Sequence, residues 1–135
     1  MTDALVQFAA TTGPPEGTLG AVFSRHGEYW TLAYGGEVSL LRDAKGLHYL
    51  AVLLRSPDEK ISVAALVAET GAPLEPISAA DLERHRSAVT KRIRDALRRI
   101  ERNHPALGRH LSARVKTGYE CTYVSDPDQP VVWKL

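Results

Sequence analysis

The first third of the chain shows the two-residue alternation of apolar and polar positions that is typical of β-strands. Three short strands are predicted, over residues 22–25, 28–34 and 37–41. Gly35 and Gly36 separate the last two strands, and because both positions tolerate positive φ they predict a two-residue hairpin turn. We therefore expect a small antiparallel sheet near the start of the domain.

Spacings of three and four residues between apolar positions then predict helices. Helices are predicted over residues 47–54 with Asp43 as the cap, 63–69 after Ser62, about 79–103 after Ser78, and 105–111, with a loop over 71–77. The alternative for the longest helix is a break and restart at Ser87 as a second cap. Gly46 is expected to weaken the first of these helices. The longest helix has six apolar side chains within one third of the helical wheel, which are expected to face the core. They are Leu82, Val89, Ile93, Ala96, Leu97 and Ile100.

The end of the chain returns to extended patterns. Residues 114–116 and 120–124 flank Thr117-Gly118-Tyr119 and predict a second hairpin. The apolar tail 131–135 is suited to adding a strand to an existing sheet, either in its own chain or across the two-fold axis of a homodimer. Residues 1–20 have no sustained period and are interpreted as a flexible leader.

Length and composition are those of one ordinary globular domain. The chain has 135 residues, of which 44% are hydrophobic and 24% are charged. No apolar run approaches the roughly 18 residues of a membrane span, and the N-terminus lacks the basic start of a signal peptide. We therefore expect a cytoplasmic protein that does not enter the membrane, with one α+β domain over residues 21–135. Cys121 has no second cysteine with which to pair and is interpreted as a buried thiol.

The charge of the chain is strongly segregated. Residues 84–116 contain eleven lysines and arginines and two acids, a balance of +9, whereas the rest of the chain has a balance of −8. A partner with dense negative charge would require this distribution, and nucleic acid is the commonest such partner. The alternative is a basic helix that is solvated and binds nothing.

The sequence offers little for catalysis. The histidines at positions 26, 48, 85, 104 and 110 do not have the spacing of metal ligands. The Gly35-Gly36 pair lies in a hairpin and not before a helix, so it does not predict a phosphate-binding loop. A non-enzymatic protein without a metal or cofactor is therefore expected.

Five stretches of sequence follow in a defined order. They are residues 30–40 (WTLAYGGEVSL), 47–57, 61–67, 89–97 (VTKRIRDAL) and 115–119 (VKTGY). In this order they resemble the winged-helix output domain of OmpR/PhoB-type bacterial response regulators, and more closely a module of this lineage in actinobacterial regulatory proteins. The resemblance implies a winged helix-turn-helix with an N-terminal antiparallel sheet, three main helices and a C-terminal β-hairpin wing. Residues 71–86 are longer and more acidic than the corresponding turn of the family, and residues 105–111 form an additional element.

The resemblance implies sequence-specific binding of double-stranded DNA in transcriptional regulation. The sequence leaves the oligomeric state open, with a homodimer on paired half-sites as one alternative. The long helix would be the recognition helix, and the hairpin would be the wing. Carried over by position, Ser87, Thr90, Lys91, Arg94 and Arg98 would face the major groove, and Arg114, Lys116, Thr117 and Tyr119 would lie along the backbone or minor groove. Tyr119 packed under the hairpin is the alternative for that residue. The alternative function is a protein-interaction module that docks on an acidic partner, such as a larger regulatory ATPase or sensor, without DNA binding.

Overall fold

The computed structural model describes residues 19–69 and 78–135. The described elements are β1 (Leu19–His26), β2 (Tyr29–Tyr34), β3 (Glu37–Arg42), α1 (Lys45–Arg55), β4 (Ile61–Ser62), α2 (Val63–Glu69), α3 (Ala79–Asn103), α4 (Pro105–Arg114), β5 (Val115–Lys116), β6 (Glu120–Tyr123) and β7 (Val131–Lys134). The α+β prediction is confirmed, and the expectations for residues 1–18 and for the loop 71–77 lie outside the described residues.

The larger sheet has the strand order β3-β2-β1-β7. The predicted turn between β2 and β3 is confirmed, with φ of +59° at Gly35 and +87° at Gly36. The tail joins the sheet as β7, parallel to β1, so the sheet is mixed and not purely antiparallel. Because β7 pairs with β1 from Leu19 onwards, β1 begins two residues before the predicted start of the domain at residue 21.

One face of this sheet forms the core with α1 and α3. Phe23, Trp30 and Leu32 from the sheet are buried in the same hydrophobic cluster as Leu47 and Leu50 from α1. Removing side chains of this size from water supplies most of the stabilisation of a small domain, at roughly 1.5–3 kcal/mol each. The opposite face of the sheet remains exposed at Val38 and Leu40 of β3.

The start of α1 departs from the sequence expectation. Asp43 was expected to cap this helix, but Ala44 occupies the cap position and no side chain caps the helix. The carboxylate of Asp43 instead accepts hydrogen bonds from Trp30 Nε1 and His48 Nε2, each at 2.7 Å. The cap prediction is wrong because these two longer-range donors engage the carboxylate.

The close approach of α1 and α3 explains a glycine in the first turn of a helix. A Cβ atom at Gly46 would collide with the backbone carbonyl oxygen of Arg92 in α3. The sequence interpretation considered only the cost of glycine to helix propensity, whereas the structure shows that the missing side chain lets the two helices meet.

α3 is one continuous helix of 25 residues, as predicted. Ser78 caps it and accepts a hydrogen bond from the backbone N–H of Asp81 at 3.1 Å. Val89, Ile93, Ala96 and Ile100 are buried, and Leu82 and Leu97 pack against the core. The predicted apolar stripe is therefore confirmed.

The smaller sheet joins the C-terminal hairpin to the middle of the chain. Its order is β4-β6-β5, so β4 pairs with β6, a contact that the sequence did not predict. Asp58, at φ +67°, accepts hydrogen bonds from the backbone N–H and the hydroxyl of Ser125. These contacts attach the β5–β6 hairpin to the segment between α1 and β4. Cys121 is buried at this junction, and burial raises the pKa of its thiol.

His104 lies between α3 and α4 and contacts the larger sheet. It caps α4, and its Nδ1 accepts a hydrogen bond from the backbone N–H of Leu107. Its Nε2 therefore carries the hydrogen and donates to the carbonyl oxygens of Tyr34 and Glu37, at 3.0 and 3.1 Å. This buried imidazole fixes the α3–α4 junction to the β2–β3 hairpin.

Candidate nucleic-acid interface

The packing of α3 determines which of its side chains reach solvent. Because Val89, Ile93 and Ile100 face the core, residues on the opposite side of the helix point outward. Of the residues predicted to face the major groove, Ser87, Lys91, Arg94 and Arg98 are exposed and Thr90 is partly buried. These five residues and Asp95 are called the α3 face below.

Thr90 differs from its neighbours on the α3 face. Its Oγ1 is shielded from solvent and has no hydrogen-bond partner within residues 19–69 and 78–135. A hydrogen bond from this hydroxyl to a ligand would therefore require a change of its rotamer.

Asp95 lies between two of the cations of the α3 face. Its Oδ2 is 3.2 Å from Lys91 Nζ, and its Oδ1 is 2.6 Å from Arg98 Nη1. The hydrogen bond from Lys91 and the charges of Lys91 and Arg98 hold the pKa of the Asp95 carboxyl below its usual value. The single negative charge of Asp95 thus balances one of the two positive charges of Lys91 and Arg98. In the described part of the chain, no acid lies within ion-pair distance of Arg94.

The α3 face and the β5–β6 hairpin border a common groove. Arg94 and Arg98 of α3 line this groove of about 360 Å³ together with Ser112, Val115 and Thr117. A second groove, of about 400 Å³, follows the α3 face itself from Arg86 to Arg98. Arg94 and Arg98 border both grooves, so the helix and the hairpin present adjoining surfaces.

Tyr119 is attached to α3 at the tip of the hairpin. Its hydroxyl donates a hydrogen bond to Glu83, and its ring lies 5.5 Å from the guanidinium carbon of Arg86. Arg86 also donates to Glu83. The hydrogen bonds from Arg86 and then from Tyr119 lower the pKa of Glu83 to about 2. We call Glu83, Arg86 and Tyr119 the clasp, since they join the hairpin to the first half of α3.

The other residues predicted to lie on the wing have different surroundings. Arg114 was expected in the first strand of the hairpin, but it is the last residue of α4, and the strand begins at Val115. Arg114 forms an ion pair with Asp126 at 3.4 Å and donates to the carbonyl oxygens of Val124 and Ser125. Arg114 therefore holds the segment after β6 and is not directed to the α3 face by these contacts. Lys116 is exposed on β5, whereas Thr117 is partly buried and borders the shared groove.

Sequence reasoning identified the cations of this surface but not its acids. Glu83 and Asp95 were not singled out. Nevertheless, Glu83 has the spacing of a helical ion pair with Arg86, and Asp95 has that spacing with both Lys91 and Arg98. The contact of Glu83 with Tyr119 joins residues 36 positions apart. No local pattern could have predicted that contact.

The described segments carry no sign of metal chemistry or of a membrane span. In residues 19–69 and 78–135 no three His, Cys, Asp or Glu side chains are grouped so that they could hold a metal ion. Nor does any helix of these segments have the length and apolar character needed to cross a membrane.

The fold and this surface define a small α+β domain with a cationic helix face beside a β-hairpin. Comparisons of the chain with protein-family models, with curated proteins and with solved structures find no match. Functional assignment therefore depends on the residues of the surface.

Proposed function

We propose that this chain is a winged-helix domain that binds double-stranded DNA sequence-specifically in transcriptional regulation in the cytoplasm. α3 would be the recognition helix in the major groove, and the β5–β6 hairpin would be the wing on the backbone or minor groove. The observation that carries the proposal is the groove shared by Arg94, Arg98 and Thr117. It supports a single binding surface made by the helix and the hairpin together.

The geometry of α3 suits a major groove. A helix can present side chains to base edges when its opposite face is packed and its outer face is free. Arg94 and Arg98 are one turn apart, and each guanidinium offers the paired donors that match guanine or a phosphate group. The order α1, α2, α3 and hairpin is the order that the winged-helix resemblance implies, with α4 as an additional element.

The ion pairs on α3 do not remove the attraction for DNA. Lys91 and Arg98 share one carboxylate, and Arg94 adds a further charge, so the α3 face retains a balance of +2. Exposed ion pairs are weak, so Lys91 and Arg98 remain available to DNA despite their contacts with Asp95. Exposed Lys116 adds a cation on the hairpin.

A fluorescence-polarisation titration tests the proposal. Labelled genomic duplexes are titrated at several salt concentrations, after retention of the protein on heparin has been measured. If the net charge of +3 that the α3 face and Lys116 carry together is matched by three phosphates, log K should fall with log salt at a slope of about −2.7. Absent or salt-insensitive binding would contradict the proposal. Selection from random duplexes would then give the operator, and its half-site spacing would test binding as a homodimer.

The exposed face of the larger sheet favours a second candidate function, docking on a protein partner. Val38 and Leu40 on the edge strand β3 are 65% and 63% exposed, and Tyr29 and Val132 are about half exposed. Apolar side chains on a sheet edge suit association with another chain. If the wild-type protein binds no duplex, a Leu40→Ser variant that loses binding to an acidic regulatory partner would support this alternative.

A further inference from the structure

Asp95 is the acid of the α3 face, whose other charged side chains are cations. Glu101 lines the adjoining groove that α3 shares with the hairpin. Asp95 borders the groove along the α3 face together with Arg86, Lys91, Arg94 and Arg98. Its two carboxylate oxygens engage Lys91 and Arg98 separately, at 3.2 and 2.6 Å. A carboxylate in this position reduces the attraction of the α3 face for any polyanion. It therefore works against the binding of DNA in general.

The chemistry of a carboxylate also distinguishes between bases. An ionised carboxylate only accepts hydrogen bonds, so it is repelled by the acceptor atoms O6 and N7 of guanine and O4 of thymine. The amino group at N4 of cytosine is a donor and forms a favourable contact with Asp or Glu. Arg98, held against Asp95, prefers the acceptors of guanine. The pair Asp95–Arg98 thus combines an acceptor for cytosine with donors for a neighbouring guanine.

We propose that Asp95 is a specificity-determining residue that weakens binding to arbitrary duplex DNA and favours a cytosine beside a guanine contacted by Arg98. This inference rests on the proposed function, because it concerns how the same surface selects its DNA. Asp95 also positions the side chains of Lys91 and Arg98 before DNA arrives. Ordering them in the free protein reduces the entropy lost on binding.

Counterion release sets how much the charge of Asp95 weakens binding to a duplex of any sequence. Replacing Asp95 with Asn leaves the shape of the side chain but adds one net positive charge to the α3 face. One further phosphate contact steepens the slope of log K against log salt by about 0.9. At a salt concentration of about 0.15 M this corresponds to roughly fivefold tighter binding to a random duplex. The selected duplex should gain less, because the cytosine contact is lost.

The experiment measures the affinity of each variant for a duplex selected by the wild-type protein and for a scrambled duplex of the same composition. Asp95→Asn should bind the scrambled duplex about fivefold more tightly and have a lower ratio of selected to scrambled affinity. Asp95→Glu keeps the charge, so its affinity for the scrambled duplex should stay within about twofold while its preferred base changes. The control is Glu28→Gln, which removes a carboxylate paired with Arg42 on the sheet. It should change neither the affinity for the scrambled duplex nor the ratio of selected to scrambled affinity.

The outcomes separate this inference from the proposed function. If the wild-type protein binds no duplex, or binds all duplexes equally, both are wrong. If the wild-type protein is selective and Asp95→Asn keeps the same ratio and the same salt slope, the inference on Asp95 is wrong while the proposed function stands. Circular dichroism of each variant checks that it folds. Asp95→Ala repeats the test with a side chain that cannot hydrogen-bond to a base, whereas the amide of asparagine can.

Discussion

Replacing Arg94 and Arg98 together by alanine is the most direct test of the α3 face. Both side chains are exposed, border the groove shared with the hairpin, and lie outside the hydrophobic core. The double variant removes two positive charges and their guanidinium N–H donors, about five for each arginine, without opening a cavity. Arg98→Ala additionally leaves Asp95 with Lys91 as its remaining partner on the α3 face.

The structure predicts that this change hardly affects stability. Surface substitutions away from packing contacts usually lie within about ±0.5 kcal/mol, and the exposed pair of Arg98 with Asp95 is worth about 0–1 kcal/mol. Alanine has a higher helix propensity than arginine, by a few tenths of a kcal/mol at most. Chemical unfolding should therefore give a free energy within about 1 kcal/mol of the wild-type value.

Binding to DNA should change far more. Removing two positive charges from the interface makes the salt slope shallower by about 1.8, which at about 0.15 M salt weakens binding to any duplex roughly 30-fold. A good bidentate contact to a base also contributes about 1–3 kcal/mol of discrimination, or roughly 5- to 150-fold for each arginine. The affinity ratio between a selected and a scrambled duplex should consequently fall close to one.

The assay is fluorescence polarisation with both duplexes at several salt concentrations. The matched control is Arg25→Ala with Arg42→Ala, which removes two arginines from the larger sheet, where they pair with Asp43 and Glu28. The control should keep the sequence preference and most of the salt slope. A double variant of Arg94 and Arg98 that retains its sequence preference would refute the role of these residues in base recognition.

Two further predictions concern the contacts that support the surface. Gly46→Ala should lower the free energy of unfolding by about 1–3 kcal/mol, since the added carbon collides with the carbonyl oxygen of Arg92, and denaturant unfolding measures this loss. Glu83 has a pKa of about 2 in the folded chain against an ordinary value of 4.5, so the clasp stabilises the fold above pH 4.5 and loses this contribution as the pH falls towards 2. Thermal unfolding between these pH values should be less pH-dependent in Glu83→Gln and in Tyr119→Phe than in the wild type, whereas an equally steep dependence would exclude the clasp as its cause.

Much of the fold follows from local sequence patterns. The turn at Gly35-Gly36, the cap at Ser78 and the apolar stripe of α3 depend on residues close together in the sequence, and all three are confirmed. The errors have long-range causes. Asp43 does not cap α1, because Trp30 donates to its carboxylate, and β1 starts early because β7 lies beside it. The hydrophobic periodicity of a short stretch could predict neither contact, because each joins different segments of the chain.

For the candidate surface, too, local features could be predicted from the sequence, whereas side-chain contacts could be predicted less well. The outward direction of Lys91, Arg94 and Arg98 follows from the helical wheel, since packing one face of α3 exposes the other. The partners of these cations could be predicted less well, because a side-chain pair depends on rotamers as well as on spacing. Arg114 was expected near DNA, whereas in the structure it pairs with Asp126, a residue in the connection to β7 that carries no helical or strand pattern.

The contacts of the hairpin bear on how the proposed surface would bind DNA. Tyr119 is joined to α3 through the clasp, and its backbone carbonyl accepts a hydrogen bond from the N–H of Val63 at 2.9 Å. Asp58 holds Ser125 at the other end of the hairpin. Before any ligand binds, the tip of the hairpin is thus joined to α3 and α2, and the residue after β6 is joined to the segment between α1 and β4. Because binding then costs less ordering of the protein, a groove of fixed width can discriminate between DNA shapes as well as between bases.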